Sequence, residues 1–235
     1  MKRWVPAALL LLLFSVLASA GRHEAESLNT EGFQLYKQGR YGDAAVVFRR
    51  AVAADETYGL AHYNLACTLA LLRRQREVCE HDTYRGTITQ HLADTLKYLP
   101  EKRSKMLTDP DLRSIHDTLF FQNLRGLSPK RDKDVREILV GVQWWGPSPG
   151  AYGPVAGVDF QSNGTFRFWA LEMGDTVERR KFAGRFEVKG RKVILQFKQP
   201  FHGKKKLIGV LRKNGVLFFE SVDWRMTDEP DECSA

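Results

Sequence analysis

The sequence predicts an α+β chain of more than one domain, with helical hairpins followed by an antiparallel β-barrel or half-barrel. Three observations predict it. From residue 25 to about residue 125, apolar and small side chains recur at the three- and four-residue spacing of amphipathic helices. Beyond residue 130 they alternate in short runs separated by Asn-Gly and Lys-Gly turn signals. The breaker-rich run Arg125-Gly126-Leu127-Ser128-Pro129-Lys130 marks the change, dividing residues 21–128 from 129–227, with an acidic tail at 228–235.

Residues 1–20 have the three-part form of a secretion signal. Lys2 and Arg3 make a positive start, residues 5–16 are almost wholly apolar, and Ala18-Ser19-Ala20 supplies small side chains for cleavage after Ala20. The expected product is secreted or periplasmic and meets a membrane only through the signal before cleavage. The alternative is an uncleaved anchor, because the uncharged stretch 4–21 approaches the roughly 18 residues that suggest a span. The first cysteine is Cys67, so no lipid-bearing cysteine follows the cleavage point. Loss of Lys2 and Arg3 with the signal lowers the net charge from +8 to +6. The remaining basic clusters, at 73–76, 102–105 and 179–206, suit an anionic envelope component or ordinary solvated faces. Nucleic acid is not an expected partner, since no recognition motif is present.

In the helical part, Leu28, Gly32, Leu35 and Tyr36 share one face, Gly39 and Tyr41 mark a turn, and Ala44, Phe48 and Ala51 form the face of a second helix. This pattern over residues 25–58 resembles a tetratricopeptide repeat, departing from it where Glu56 stands in place of the usual proline. A second, modified repeat opens at Gly59, leaves the pattern at Leu72-Arg73-Arg74, and leads through 75–83 to a helix over about 84–99. Thr108-Asp109-Pro110-Asp111-Leu112 reads as an N-cap and proline opening a short helix. Residues 108–125 resemble the segment that closes such arrays. The resemblance implies a concave groove for a peptide or helix of a protein partner, faced by Asn29, Phe33, Tyr36, Tyr63 and Cys67, with Lys37 as its candidate cation. The alternative is that so short an array braces the β domain, its groove filled by the capping helix.

In the β part, residues 138–145 read as a first strand, with a start that also suits a helix. Hairpins follow at Asn163-Gly164, Lys189-Gly190 and Asn214-Gly215. Phe166/Phe168, Phe186/Val188 and Val193/Leu195/Phe197 point to one side, as in a sheet that closes to remove its edges. With Leu139-Val140-Gly141-Val142-Gln143-Trp144, these hairpins resemble the small lipocalin-like barrels of secreted bacterial proteins. That likeness implies an interior lined by Trp144, Phe166, Phe168, Phe186 and Phe197, either holding a small apolar ligand or filled by those side chains. The glycine-rich loop 147–154 is the segment expected to face a ligand.

Cys67 and Cys79 flank a helix end and are disulfide candidates in an oxidising compartment. The six histidines lack the spacing that puts two imidazoles on one helical face, so no metal or cofactor is expected. No nucleophile elbow, phosphate loop or spaced carboxylate pair occurs, and Asp111, Asp117 and Asp134 read as caps or solvated charges. The expected function is therefore a non-catalytic adaptor with a protein partner in its helical groove and an anionic envelope component on its basic β domain. The alternative is a carrier of a small hydrophobic molecule.

Overall fold

The helical periodicity folds into four long helices and a shorter fifth. The computed structural model describes residues 7–75, 83–147, 155–173 and 177–229, with backbone alone for 7–18 and 173. Helices α1 (Ala7–Lys37), α2 (Tyr41–Ala54), α3 (Gly59–Arg74) and α4 (Arg85–Tyr98) pack each on the next, and α1 also meets α3. A turn of 3-10 helix at Pro100–Lys102 leads into α5 (Arg103–Thr108). Residues 7–20 run without a break into α1, and among the described residues no helix is long and apolar enough to cross a membrane.

Small residues let these helices approach. The Phe48 ring lies on Gly32 so closely that a Cβ there would stand 2.8 Å from it. Ala44, Ala45, Ala51, Ala61, Ala66 and Ala70 are fully buried. The α1–α2 turn depends on Gly39, whose φ of +75° lets the Gly39 N–H reach the Tyr36 carbonyl and the Arg40 N–H reach that of Leu35. At the α2–α3 turn, Asp55 accepts hydrogen bonds from the Thr57 N–H (2.8 Å) and hydroxyl (2.7 Å). Arg22 of α1 closes on Asp55 at 2.7 Å.

The remainder is an eight-stranded antiparallel meander, β1 (Trp144–Trp145), β2 (Ala156–Phe160), β3 (Thr165–Met173), β4 (Val177–Lys189), β5 (Lys192–Phe201), β6 (Lys204–Leu211), β7 (Leu217–Phe219) and β8 (Trp224–Met226), in sequence order. The Trp145 N–H donates to the Thr227 carbonyl (2.8 Å) and the Thr227 N–H to that of Trp145 (2.9 Å), which nearly closes the sheet into a barrel. The Asn163-Gly164 and Asn214-Gly215 hairpins are three-residue loops rather than two-residue ones. Each ends on a left-handed glycine, and each asparagine Oδ1 accepts the N–H two residues on.

Two expectations change here. Residues 138–145 do not form one strand, because Val135, Ile138, Leu139 and Val142 repeat at helical spacing. They bury one face of α7 (Val135–Gly141) on the barrel core, leaving only Trp144–Trp145 as strand. The compact units divide between residues 114 and 115 rather than near 128. Helix α6 (Leu119–Leu124) belongs to the second unit because Gln122 Nε2 donates to the Gly141 carbonyl at 2.8 Å and the Leu119 N–H to Asp228 at 2.7 Å. Asp228 is thereby part of the fold, while residues 230–235, with Cys233, lie outside the described residues, as does most of the loop 147–154.

Close approach in the barrel wall supplies a stability test. A Cβ on Gly184 would stand 1.9 Å from the Gln196 carbonyl oxygen, an atom of the paired strand that cannot swing away. Gly184→Ala is expected to lower barrel stability by about 3 kcal/mol, whereas Ile208→Thr, at a position 46% exposed, changes it by less than about 0.5 kcal/mol. Urea unfolding followed by tryptophan fluorescence reads this unit, where Trp144, Trp145, Trp169 and Trp224 reside.

Candidate functional site

The most built concavity of the helical unit lies where α1 and α3 run beside each other. Asn29, Phe33 and Tyr36 occupy successive turns of α1, and Leu60, Tyr63, Asn64 and Cys67 do so on α3, so each set shares a face. Phe48 of α2 forms part of the lining, and residues 102–111 supply Lys102, Lys105, Asp109 and Asp111 as a further wall. The concavity, open to solvent on one side, holds about 560 Å³.

Hydrogen bonds fix this wall. The Tyr63 hydroxyl donates to Asp109 Oδ2 at 2.5 Å, and the Tyr36 hydroxyl donates to Asp111 Oδ2. Asp109 Oδ1 also accepts the Asp111 N–H at 3.1 Å, capping the 3-10 turn that begins at Pro110. Lys105 Nζ stands 3.5 Å from Asp109 Oδ2, and Lys102 Nζ lies 5.3 Å from the centre of the Tyr63 ring. Asn64 Nδ2 donates to Asn29 Oδ1 at 2.9 Å. Beyond that bond the pair still carries an amide oxygen and an NH2, the complement of a peptide group.

Five of the six expected groove residues, Asn29, Phe33, Tyr36, Tyr63 and Cys67, line one space. The sixth, Lys37, is not in the lining; its Nζ stands 5.3 Å from the Phe33 ring centre. The cations come instead from Lys102 and Lys105, members of a run that reads as a solvated basic patch. Asp111 is a wall residue rather than a solvated charge. The Asp134 side chain does not cap α7; it accepts the Ser128 N–H at 2.8 Å and pairs with Arg131 at 2.5 Å. Cys67 is buried with a free thiol, and Cys79 lies outside the described residues. Ligand atoms of Cys67, Asp109 and Asp111 lie within 4.8 Å of one another. Burial pushes the Cys67 thiol well above its usual range, assisted by the two carboxylates, so the metal-binding thiolate is disfavoured.

The five residues expected inside the barrel are all buried there, ring against ring: Phe160 on Phe186 at 4.8 Å, Phe166 on Phe197 at 5.1 Å and Phe168 on Phe201 at 4.9 Å. Trp144 Nε1 donates to the Leu139 carbonyl at 3.1 Å. A second concavity, of about 790 Å³, lies where residues 177–183 pair with β3 alone, since β5 joins β4 only from Gly184. Arg167, Arg179, Lys181 and Lys198 line it around Trp169. The Trp169 ring rests on Gly157, where a Cβ would stand 2.4 Å from Nε1, and Arg179 covers it at 4.2 Å. Arg179, Lys181 and Lys198 belong to the basic stretch 179–206, Arg167 does not, and no local pattern groups the four around one indole.

Comparison with protein-family models, with curated proteins and with solved structures finds no match.

The tyrosine–aspartate pairs make the helical unit sensitive to alkali. Burial, reinforced by the neighbouring carboxylates, holds both phenols far above their ordinary value. In the unfolded chain they lose their protons above about pH 10 while the folded chain retains them, so stability is complete below that pH and falls as pH rises past it. Tyr36→Phe/Tyr63→Phe is expected to be the less stable protein at pH 7 but to lose less stability between about pH 9 and 11. Urea unfolding followed by circular dichroism across that range checks it.

Proposed function

We propose that this chain is an exported, non-catalytic adaptor. Its α1/α3 groove takes up an extended segment of a protein partner in the manner of a tetratricopeptide repeat. Its lipocalin-like β domain meets an anionic envelope component at the Trp169 concavity. The observation that carries the reading is the meeting of Asn29, Phe33, Tyr36, Tyr63 and Asn64 in one space, from two helices that contribute side chains at matching intervals. Amide groups that match a peptide bond stand there beside an aromatic shelf, Phe33 stacked on Tyr36 at 5.9 Å. Export draws on the tripartite leader and on the exposed Ser19 and Ala20 at its end. The carrier alternative draws on the gap between β4 and β5, where Phe168 and Phe182 border the concavity. The ring-on-ring packing of the barrel core favours the adaptor.

Phe33 is the anchor to remove, because it is 44% exposed and its loss leaves the core intact. Covering that surface is worth on the order of 2 kcal/mol. Peptides selected from a random display library against the purified protein are therefore expected to bind Phe33→Ala about tenfold or more weakly, and Val46→Ala, at another exposed position, without change. Failure to select any peptide, or indifference to Phe33→Ala, would remove the groove reading. Mass spectrometry of the protein from its own host is expected to find Gly21 as the first residue; a retained residue 1–20 segment would contradict cleavage.

A further inference from the structure

Three metal-ligating side chains meet between α3 and α4, on residues that line neither concavity. His62 of α3 is 5% exposed. Its Nε2 lies 3.0 Å from the Glu56 carbonyl oxygen, an acceptor only, so in the neutral ring Nε2 carries the proton and Nδ1 the lone pair. That lone pair faces His91 Nδ1 of α4 at 3.0 Å, with Asp94 Oδ2 4.0 Å from the same nitrogen. His91 and Asp94 are three residues apart on α4 and hence on one face of it. All three ligand atoms lie within 4.8 Å of one another.

We propose that His62, His91 and Asp94 form a binding site for a divalent transition-metal ion of the zinc class, held by two imidazole Nδ1 atoms and one carboxylate oxygen. Three features argue for it. Two nitrogens and one oxygen are a borderline-hard donor set, the kind that zinc occupies with three protein ligands and a remaining position for water. A ligating histidine characteristically donates its other N–H to a carbonyl or carboxylate, which orients the ring, and His62 does so to Glu56. The spacing also suits the ion: ligands at the usual zinc distance around a tetrahedral centre stand about 3.3 Å apart. The two nitrogens need to part only slightly, and Asp94, a half-buried side chain, needs to close on His62 by less than about 1 Å and on His91 by at most about 1.5 Å. The proton between the two Nδ1 atoms gives way to the ion, His91 taking the tautomer protonated on Nε2. The bound ion ties α3 to α4 at the end of the array.

The test uses the full protein purified without a histidine tag, freed of metal with a chelator, and titrated with Zn2+ by calorimetry. One ion per chain is expected to bind saturably. At a concentration about a hundred times Kd, the helical unit is expected to melt several degrees higher. His91→Ala and Asp94→Asn, both at half-buried positions, are expected to weaken binding by more than about tenfold while keeping the parent circular dichroism. Cys67→Ala, in the groove cluster, is expected to leave binding intact. Co2+ in place of Zn2+ is expected to give the visible absorption of a tetrahedral nitrogen–oxygen site. Absence of saturable binding, or binding unaffected by His91→Ala and Asp94→Asn, would overturn the proposal and leave the imidazoles as a hydrogen-bonded pair.

Discussion

The hydrogen bonds from two tyrosine hydroxyls to Asp109 and Asp111 are the interactions on which the helical unit's groove depends. Asp109 is 5% exposed, and a carboxylate so placed costs several kcal/mol unless it is well supplied with donors. It receives the Tyr63 hydroxyl on one oxygen and the Asp111 N–H on the other, with Lys105 beside it. The same side chain therefore caps the turn at Pro110 and holds residues 102–111 against α3. Tyr36 repeats the arrangement from α1. Met106, fully buried, anchors the same segment by apolar contact, and the two tyrosine–aspartate bonds fix the wall beside the open space.

The barrel answers a different constraint, the unpaired edges of an eight-stranded meander. The Trp145–Thr227 pair satisfies the first and last strands, and the phenylalanine rings fill the interior so that closure traps little empty space. Among the described residues, closure is incomplete where β4 parts from β5. Beyond Gly184 toward its N-terminal end, β4 continues with β3 alone, while the register of β5 shifts between Gln196 and Phe201. Exposed cations occupy that stretch of β4, the kind of side chain that discourages another chain from pairing with an open edge.

The fold was legible where one period dominated. Spacing alone placed α2, α3 and α4, and alternation put Phe166, Phe168, Phe186, Val193, Leu195 and Phe197 into one core. It misled at residues 138–145, where β-branched residues that favour strands sit at helical intervals; tertiary burial of one face decided for α7. On α1 and α3 the lining residues Asn29, Phe33, Tyr36, Tyr63 and Cys67 were named through the resemblance to a repeat rather than through their spacing alone. The site was not legible at Lys102, Lys105, Asp109 and Asp111, which reach the groove through turns whose direction no local pattern specifies. The same holds for His62 and His91, twenty-nine positions apart and on different helices, so that a search along one helical face passes over them.

Two neighbouring helices ordinarily offer little concave surface, and here residues 102–111 enlarge it by lining the space instead of occupying it. On the proposed peptide-binding reading, what they add also restricts the ligand. Two lysines against two aspartates leave the groove formally neutral, so long-range attraction does not select the partner and affinity must come from short-range fit. The carboxylates are already engaged by tyrosine and lysine donors. A cationic partner therefore gains little from them, and an anionic one meets them as repulsion. The groups left for recognition are the stacked Phe33 and Tyr36 rings and the unmatched halves of the Asn29–Asn64 pair. These favour an uncharged, extended segment that sets an apolar side chain on the rings and a backbone amide on the asparagines.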